Sequence, residues 1–243
     1  MNEIPMKKHY SFLLCLFVAL STLLLSCGGG SDADRKTAEA EAKQQIETWF
    51  APLLDRATGK YGFEDSTGKL AIPCKYDWAY PFSEGLAMVK LDGKWGFVDS
   101  TGKLAIPCKY DRAYDFSEGL ARVLLNGKYG FVDSTGKLVI PCKYDMVGSF
   151  SEGLAAVKLY GKWGFIDSTG KLAIPCEYDV AWPFSEGLAA VKLNGKWGFT
   201  DSTGKLPIPC KYEVAFSFSE GLARVVLNGV GFCINKYGIK YIK

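Results

Sequence analysis

Histidine is almost missing from this sequence: His9 is the only one in 243 residues. It sits in an N-terminal segment that reads as a removable signal, so the mature chain is expected to carry none. That excludes Ser-His and Cys-His nucleophile systems, in which an imidazole must take the proton. Runs of like charge are missing as well. Lys and Arg total 29 against 26 Asp and Glu, a net charge of +3 that falls to about +2 without Lys7, Lys8 and Glu3. With no basic stripe there is no expected footprint for nucleic acid. No Cys-x-x-Cys pair is present to chelate a metal, and no cofactor is expected. What remains is 48% hydrophobic and 14% aromatic, enough for a packed core rather than disorder.

The first residues read as an address. Lys7 and Lys8 precede an apolar stretch from Tyr10 to Leu25, short for a membrane span but of the right length for a signal core. Leu24-Leu25-Ser26-Cys27 closes it and Gly28-Gly29-Gly30-Ser31 comes next. This ending resembles a bacterial lipobox, in which the Cys is acylated and becomes the first residue of the mature chain. Leu25 departs from the small residue usual before Ser; an ordinary cleaved signal would leave Cys27 an incidental thiol. Residues 1–26 are expected to be a lipoprotein signal peptide and 27–33 the acylated Cys27 and a linker. The expected location is the bacterial cell envelope, at the outer membrane, with the membrane contacted through the lipid anchor.

Beyond the linker the composition changes. Ser31-Asp32-Ala33-Asp34 offers N-cap and first-turn carboxylates. Ala38, Ala42, Ile46, Trp49, Phe50 and Leu53 then recur at three- and four-residue steps, an amphipathic helix pattern. Pro52 cannot sit in a helix interior, so the helix proper should end near Phe50. Residues 34–57 are expected to form a helix capping the exposed apolar end of a repeat array.

The repeat itself is plain to see. Trp-Gly-Phe-x-Asp-Ser-Thr-Gly-Lys-Leu-x-Ile-Pro-Cys recurs with its leading aromatic at Tyr61, Trp95, Tyr129, Trp163 and Trp197, 34 residues apart. A sixth copy reads as starting one residue early, at Val230. Within each copy, Leu86–Leu91, Trp95–Asp99 and Leu104–Cys108 read as strands. Asp92-Gly93 and its counterparts supply type I′ turns, and Ser-Thr-Gly-Lys a second turn. Pro107 cannot donate to a ladder and belongs at an edge. Residues 58–243 are thus expected to be all-β, a tandem array of three-stranded antiparallel meanders with Lys109–Gly119 as a connector. The array is expected to be open and curved, or propeller-like. Its ends favour the open form, since the first copy begins at its second strand and the last carries all three.

These residues resemble the WG (or KWG) repeat family, whose Trp-Gly-Phe-x-Asp-x-x-Gly-Lys is followed by Ile-Pro, Tyr-Asp and Phe-Ser-Glu-Gly-Leu-Ala. The resemblance covers about residues 59–243. It implies a repeat scaffold for interaction, commonly on bacterial secreted proteins and lipoproteins, and carries over no catalytic residue. Cys after Ile-Pro is a departure from the family's pattern.

Cys74, Cys108, Cys142, Cys176 and Cys210 occupy equivalent positions. Neighbours should lie about 10–14 Å apart, beyond the roughly 7 Å reach of a disulfide, so small buried thiols are expected. Cys210–Cys233 is the one bridge left open. Glu84, Glu118, Glu152, Glu186 and Glu220 could serve a carboxylate hydrolase, but five copies in a turn suggest hydrogen bonds from backbone or Lys instead.

Comparison between copies locates the variation. Ala87, Val89, Leu91 and their equivalents do not vary, as packing requires. The opposite face does, through Met88, Arg122, Ala156, Ala190 and Arg224. The connector varies most, and its Trp78, Tyr80, Arg112, Tyr114, Met146, Trp182 and Phe216 form the candidate binding row. The same aromatics could instead pack between repeats. The expected function is a non-enzymatic, envelope-anchored scaffold binding a protein or glycan. A structural or assembly spacer and a carboxylate-based envelope glycan hydrolase are the alternatives.

Overall fold

The computed structural model describes residues 50–241. The signal peptide, Cys27, the linker and residues 34–49 of the expected helix lie outside the described residues. Twenty-two strands form six antiparallel sheets in chain order, and no helix occurs among the described residues. Sheet 1 holds β1 (Ala51–Asp55), β2 (Lys60–Glu64) and β3 (Leu70–Tyr76). Sheet 2 holds β4 (Trp78–Ser83), β5 (Leu86–Leu91), β6 (Lys94–Asp99) and β7 (Leu104–Tyr110), side by side in that order. Sheets 3, 4 and 5 repeat it over residues 112–144, 146–178 and 180–212. Sheet 6 pairs Val214–Ala215, Leu222–Leu227 and Val230–Asn235. Among the described residues sheet 1 shares its core with sheet 2 and sheet 6 with sheet 5, and no strand of sheet 1 pairs with sheet 6, so the array is open.

Three expectations are corrected. The capping helix over 34–57 fails where it is described, because Ala51–Asp55 is a strand in register with β2 from Ala51↔Glu64 to Asp55↔Lys60. Sheet 1 therefore does not begin at its second strand. Pairing with the open edge of β2 outweighs a weak local helix preference that Pro52 already undermines. Second, the connector holds a fourth strand: Trp78–Ser83 and its equivalents pair with the next strand in the chain, through a bulge between Ala79 and Phe82. Ser-Glu-Gly is the turn between them, with Glu84 and Gly85 both at positive φ, 50° and 81°.

Third, the sixth copy is not early. Asn228-Gly229 turns 34 residues after Asn194-Gly195, and Leu227↔Val230 corresponds to Leu193↔Lys196. Val230-Gly231-Phe232 only imitates the motif. Gly231 occupies the Trp slot, Phe232 the Gly slot and Cys233 the Phe slot.

Register assigns the faces. Met88↔Phe97 and Lys90↔Trp95 lie on one side of sheet 2, Ala87↔Val98 and Val89↔Gly96 on the other. The first side packs forward: Leu86, Met88, Phe97, Ile106 and Tyr110 share a core with Ala113, Phe116, Ala121, Val123 and Val132 of sheet 3. The second packs backward onto Phe63, Ile72 and Tyr76 of sheet 1. The core is thus a series of like interfaces, each sealed by an edge-on aromatic pair such as Phe97–Phe116, 5.0 Å between centroids.

The motif's glycine has a steric cause. Between Trp95↔Tyr110 and Phe97↔Ile106, β6 advances two residues while β7 advances four, a wide bulge carrying Pro107 and Cys108. A Cβ on Gly96 would lie 2.5 Å from the Ile106 carbonyl oxygen and 2.7 Å from the Cys108 nitrogen. Among the described residues no bulged strand lies beside Phe232, which stands in that slot.

The motif's aspartate builds the next turn. Asp99 Oδ1 accepts the Thr101 hydroxyl at 2.6 Å and the N–H groups of Thr101 and Lys103 at 2.9 and 3.1 Å. These bonds, the Thr hydroxyl foremost, hold Asp65, Asp99, Asp133, Asp167 and Asp201 below the ordinary value of 3.8. A folded pKa below the unfolded one adds stability above the unfolded value, lost as pH falls through the lowered value. Asn235 makes the same turn without a titrating group, bonding the N–H groups of Tyr237 and Ile239 at 3.0 and 3.1 Å. Replacing the five Asp by Asn should therefore preserve the fold and flatten the fall of Tm below about pH 4, read by circular dichroism.

Candidate functional site

The first strand of each sheet lies at the seam where sheets converge. Ser117 donates its hydroxyl to the Phe150 carbonyl at 3.0 Å, Ser151 to Phe184 at 2.9 Å, and Ser185 to Phe218 at 2.8 Å. Beside them, Glu84 accepts the Gly119 N–H, Glu118 that of Gly153, Glu152 that of Gly187 and Glu186 that of Gly221. The Phe-Ser-Glu-Gly segment is therefore a strap from each sheet to the next. Four of the five glutamates are held in backbone bonds within it. Glu220 lies in sheet 6, the last sheet among the described residues.

Along these strands Ala79, Ala113, Val147, Ala181 and Ala215 turn inward and are buried. The alternate positions turn outward. Trp78, Tyr80, Met146, Trp182 and Phe216 are 46%, 40%, 50%, 50% and 56% exposed, Arg112 is exposed and Tyr114 half-buried. All seven candidate residues thus lie on one seam, a line that the connector reading left unplaced.

The structure brings the N-terminal members together. Tyr61–Trp78, Trp78–Tyr80 and Tyr80–Trp95 form a chain of tilted rings with centroids 5.1, 6.4 and 5.9 Å apart. Two open cavities share Tyr80 and Trp95 as a wall. One, of 260 Å³, is completed by Asp77, Trp78 and Lys90, and the Lys90 ammonium lies 5.7 Å from the Trp95 ring centre. The other, of 350 Å³, is completed by Met88, Arg112, Ala113, Tyr114 and Asp115. Met146, Trp182 and Phe216 lie further along the seam.

Met88 and Arg122, noted in the sequence only as variable, prove to lie inside the inter-sheet clefts. Trp95 and Tyr129 line them as well; their signal was the leading aromatic of each repeat. Hydrogen bonding between the Tyr114 and Tyr129 hydroxyls pulls Tyr114 below the ordinary value of 10 and pushes Tyr129 above it. Arg112, also bonded to the Tyr114 hydroxyl, adds to the lowering.

The thiols are elsewhere. Cys108, Cys142, Cys176 and Cys210 each border the core against the preceding sheet, and burial pushes them above their ordinary value. They are half-buried rather than fully enclosed, and all six described cysteines are free. The Cys210–Cys233 bridge is not formed: Cys210 faces sheet 4, whereas Cys233 pairs with Arg224 on the side of sheet 6 away from sheet 5.

The profile of the WG containing repeat matches residues 61–95, 95–129, 129–163, 163–197 and 197–230, five consecutive units. The chain belongs to the WG-repeat family. The outward first-strand residues and the clefts between sheets are thus features of a WG-repeat array, a scaffold class. No curated protein matches the chain. Among solved structures, a eukaryotic initiation factor is similar with a TM-score of 0.52 at 13% identity, over 80% of this chain and 61% of that one. This likeness concerns the fold alone. The Hsv2 protein of Kluyveromyces lactis aligns at 0.43 and 12% identity, over 72% and 68% of the two chains. A protein of unknown function from Bacteroides caccae aligns at 0.30 and 11%, over 75% and 90%. The WG-repeat chain spans about three fifths of the initiation factor's length.

Proposed function

We propose that the chain is a non-enzymatic interaction scaffold, carried on the bacterial envelope by acylated Cys27, whose first-strand seam receives a protein or glycan. The supporting observation is the outward row of Trp78, Tyr80, Arg112, Met146, Trp182 and Phe216, large side chains left unfilled by the core that surrounds them. Aromatic and Arg side chains in such a setting are the types that dominate binding energy. A carboxylate hydrolase fits less well, because the straps hold Glu84, Glu118, Glu152 and Glu186 against backbone N–H groups. The outer membrane is the proposed location, reached through the lipid chain, and nucleic acid is not a proposed partner.

The test replaces Trp78, Arg112, Met146, Trp182 and Phe216 by Ser together in the full chain. Capture of a partner from solubilised envelopes should be lost while Tm changes by only about 2 °C, as for exposed positions. Undiminished capture would move the assignment to a spacer. In the same cells, Cys27→Ser should abolish palmitate labelling and release the protein from the membrane fraction; retained label would remove the anchor from the proposal.

A further inference from the structure

Two neighbouring clefts have equivalent walls and different contents. Between sheets 3 and 4 the walls are Tyr114, Tyr129 and the Val147 carbonyl, and Arg122 fills the space. Its guanidinium carbon lies 4.2 Å from the centre of the Tyr114 ring, and Nη1 donates to the Val147 carbonyl at 3.2 Å. One repeat earlier, the residues in those places are Tyr80, Trp95 and Ala113. The ring pair is spaced alike, 5.9 Å for Tyr80–Trp95 and 6.4 Å for Tyr114–Tyr129. The filling residue differs: Met88 stands where Arg122 would, and the 350 Å³ cavity stays open.

We infer that the cleft between sheets 2 and 3 receives a guanidinium group, the arginine side chain of a partner polypeptide, in the pose that Arg122 adopts one repeat later. The inference rests on the scaffold reading above and chooses protein over glycan within it. A planar cation stacks on Tyr80 beside Trp95, as Arg122 stacks on Tyr114. Ala113, 34 residues before Val147, lines the cavity, and by that equivalence its carbonyl is the acceptor offered to Nη1. The open cleft also has something the filled one lacks. Asp115 lines it at the place of Ser149, offering a carboxylate to a guanidinium's remaining donors. Arg122 itself leaves Nε buried without a partner. Arg112 also lines the cavity but is exposed to solvent, where its charge is screened. Lysine carries no plane to stack and fits less well.

The test uses the full chain and three capped tripeptides, Gly-Arg-Gly, Gly-Lys-Gly and Gly-citrulline-Gly, followed through the Trp95 indole N–H resonance. The arginine peptide should shift that signal saturably, and the other two should bind at least about 5-fold more weakly. Met88→Arg lets the protein fill its own cleft and should weaken the arginine peptide by about 10-fold or more, read on the folded fraction because Met88 also packs in the core of sheets 2 and 3. Tyr80→Leu, which removes the stacking plane without adding charge, should do the same. Arg122→Met should open the second cleft and raise the stoichiometry from about one to about two. Equal binding of all three peptides, or undiminished binding to both Met88→Arg and Tyr80→Leu, overturns the inference. So does a shift of Trp95 by an oligosaccharide and not by the arginine peptide. If no peptide binds but the five-residue seam variant still loses its partner, this inference alone falls. If that capture also survives, the scaffold reading falls with it.

Discussion

Gly96→Ala should cost about 3 kcal/mol, the upper end of the usual range for overpacking, and should be read as a drop in urea midpoint. The added methyl would sit 2.5 Å from the Ile106 carbonyl oxygen and 2.7 Å from the Cys108 nitrogen. Both atoms belong to the backbone of the bulge, so no rotamer change relieves the contact. Either the bulge straightens, which misplaces Tyr110 and Ile106 in the core, or β6 and β7 part. Gly231 is the internal control. A Cβ there would meet nothing nearer than 3.9 Å, and Gly231→Ala should change stability by less than about 0.5 kcal/mol. Similar losses at the two positions would show that the bulge does not impose the glycine.

Phe131→Ala should cost a similar amount, about 3–5 kcal/mol, for a different reason. Its ring is wholly buried and meets Phe150 of the next sheet edge-on at 4.9 Å. Removing it leaves a cavity at the junction of sheets 3 and 4. In an array held together by neighbour contacts, damage at one interface uncouples the two halves. Thermal unfolding should therefore split into two transitions, seen by calorimetry, whereas Gly96→Ala should weaken the N-terminal sheets first. A single sharp transition for Phe131→Ala would mean that cooperativity runs through more than the interfaces described.

Much of this architecture was legible from spacing. The 34-residue period, the Asn-Gly turns, the strand-forming alternation of Ala87, Val89 and Leu91 and the edge position of Pro107 are all readable by local rules, because local geometry decides them. What escaped was set by tertiary pairing. The segment around Trp78 carries Pro81 and a bulge, which break the two-residue alternation by which a strand is recognised. Ala51–Asp55 could satisfy either a helical or a strand pattern, and only the free edge of β2 decides between them. Val230-Gly231-Phe232 misled because a motif match ignores register, whereas Asn228-Gly229 had kept the period. The seven candidate seam residues were found by their variation, but their grouping into clefts depends on how β4 and its equivalents converge. Met88 and Arg122 show the point best. As letters they are mere variation; in the fold one leaves a space and the other fills it.

The two terminal sheets differ from the inner four on their outer faces. Sheet 1 places Glu64 and Asp55 where sheet 2 has Val98 and Leu91, and sheet 6 places Arg224 and Cys233 where sheet 2 has Met88 and Phe97. An extra unit inserted between inner sheets would meet surfaces already shaped for it, whereas one appended after the last would find no aromatic to seat against. Lengthening by duplication is thus permitted from within and discouraged at the tips.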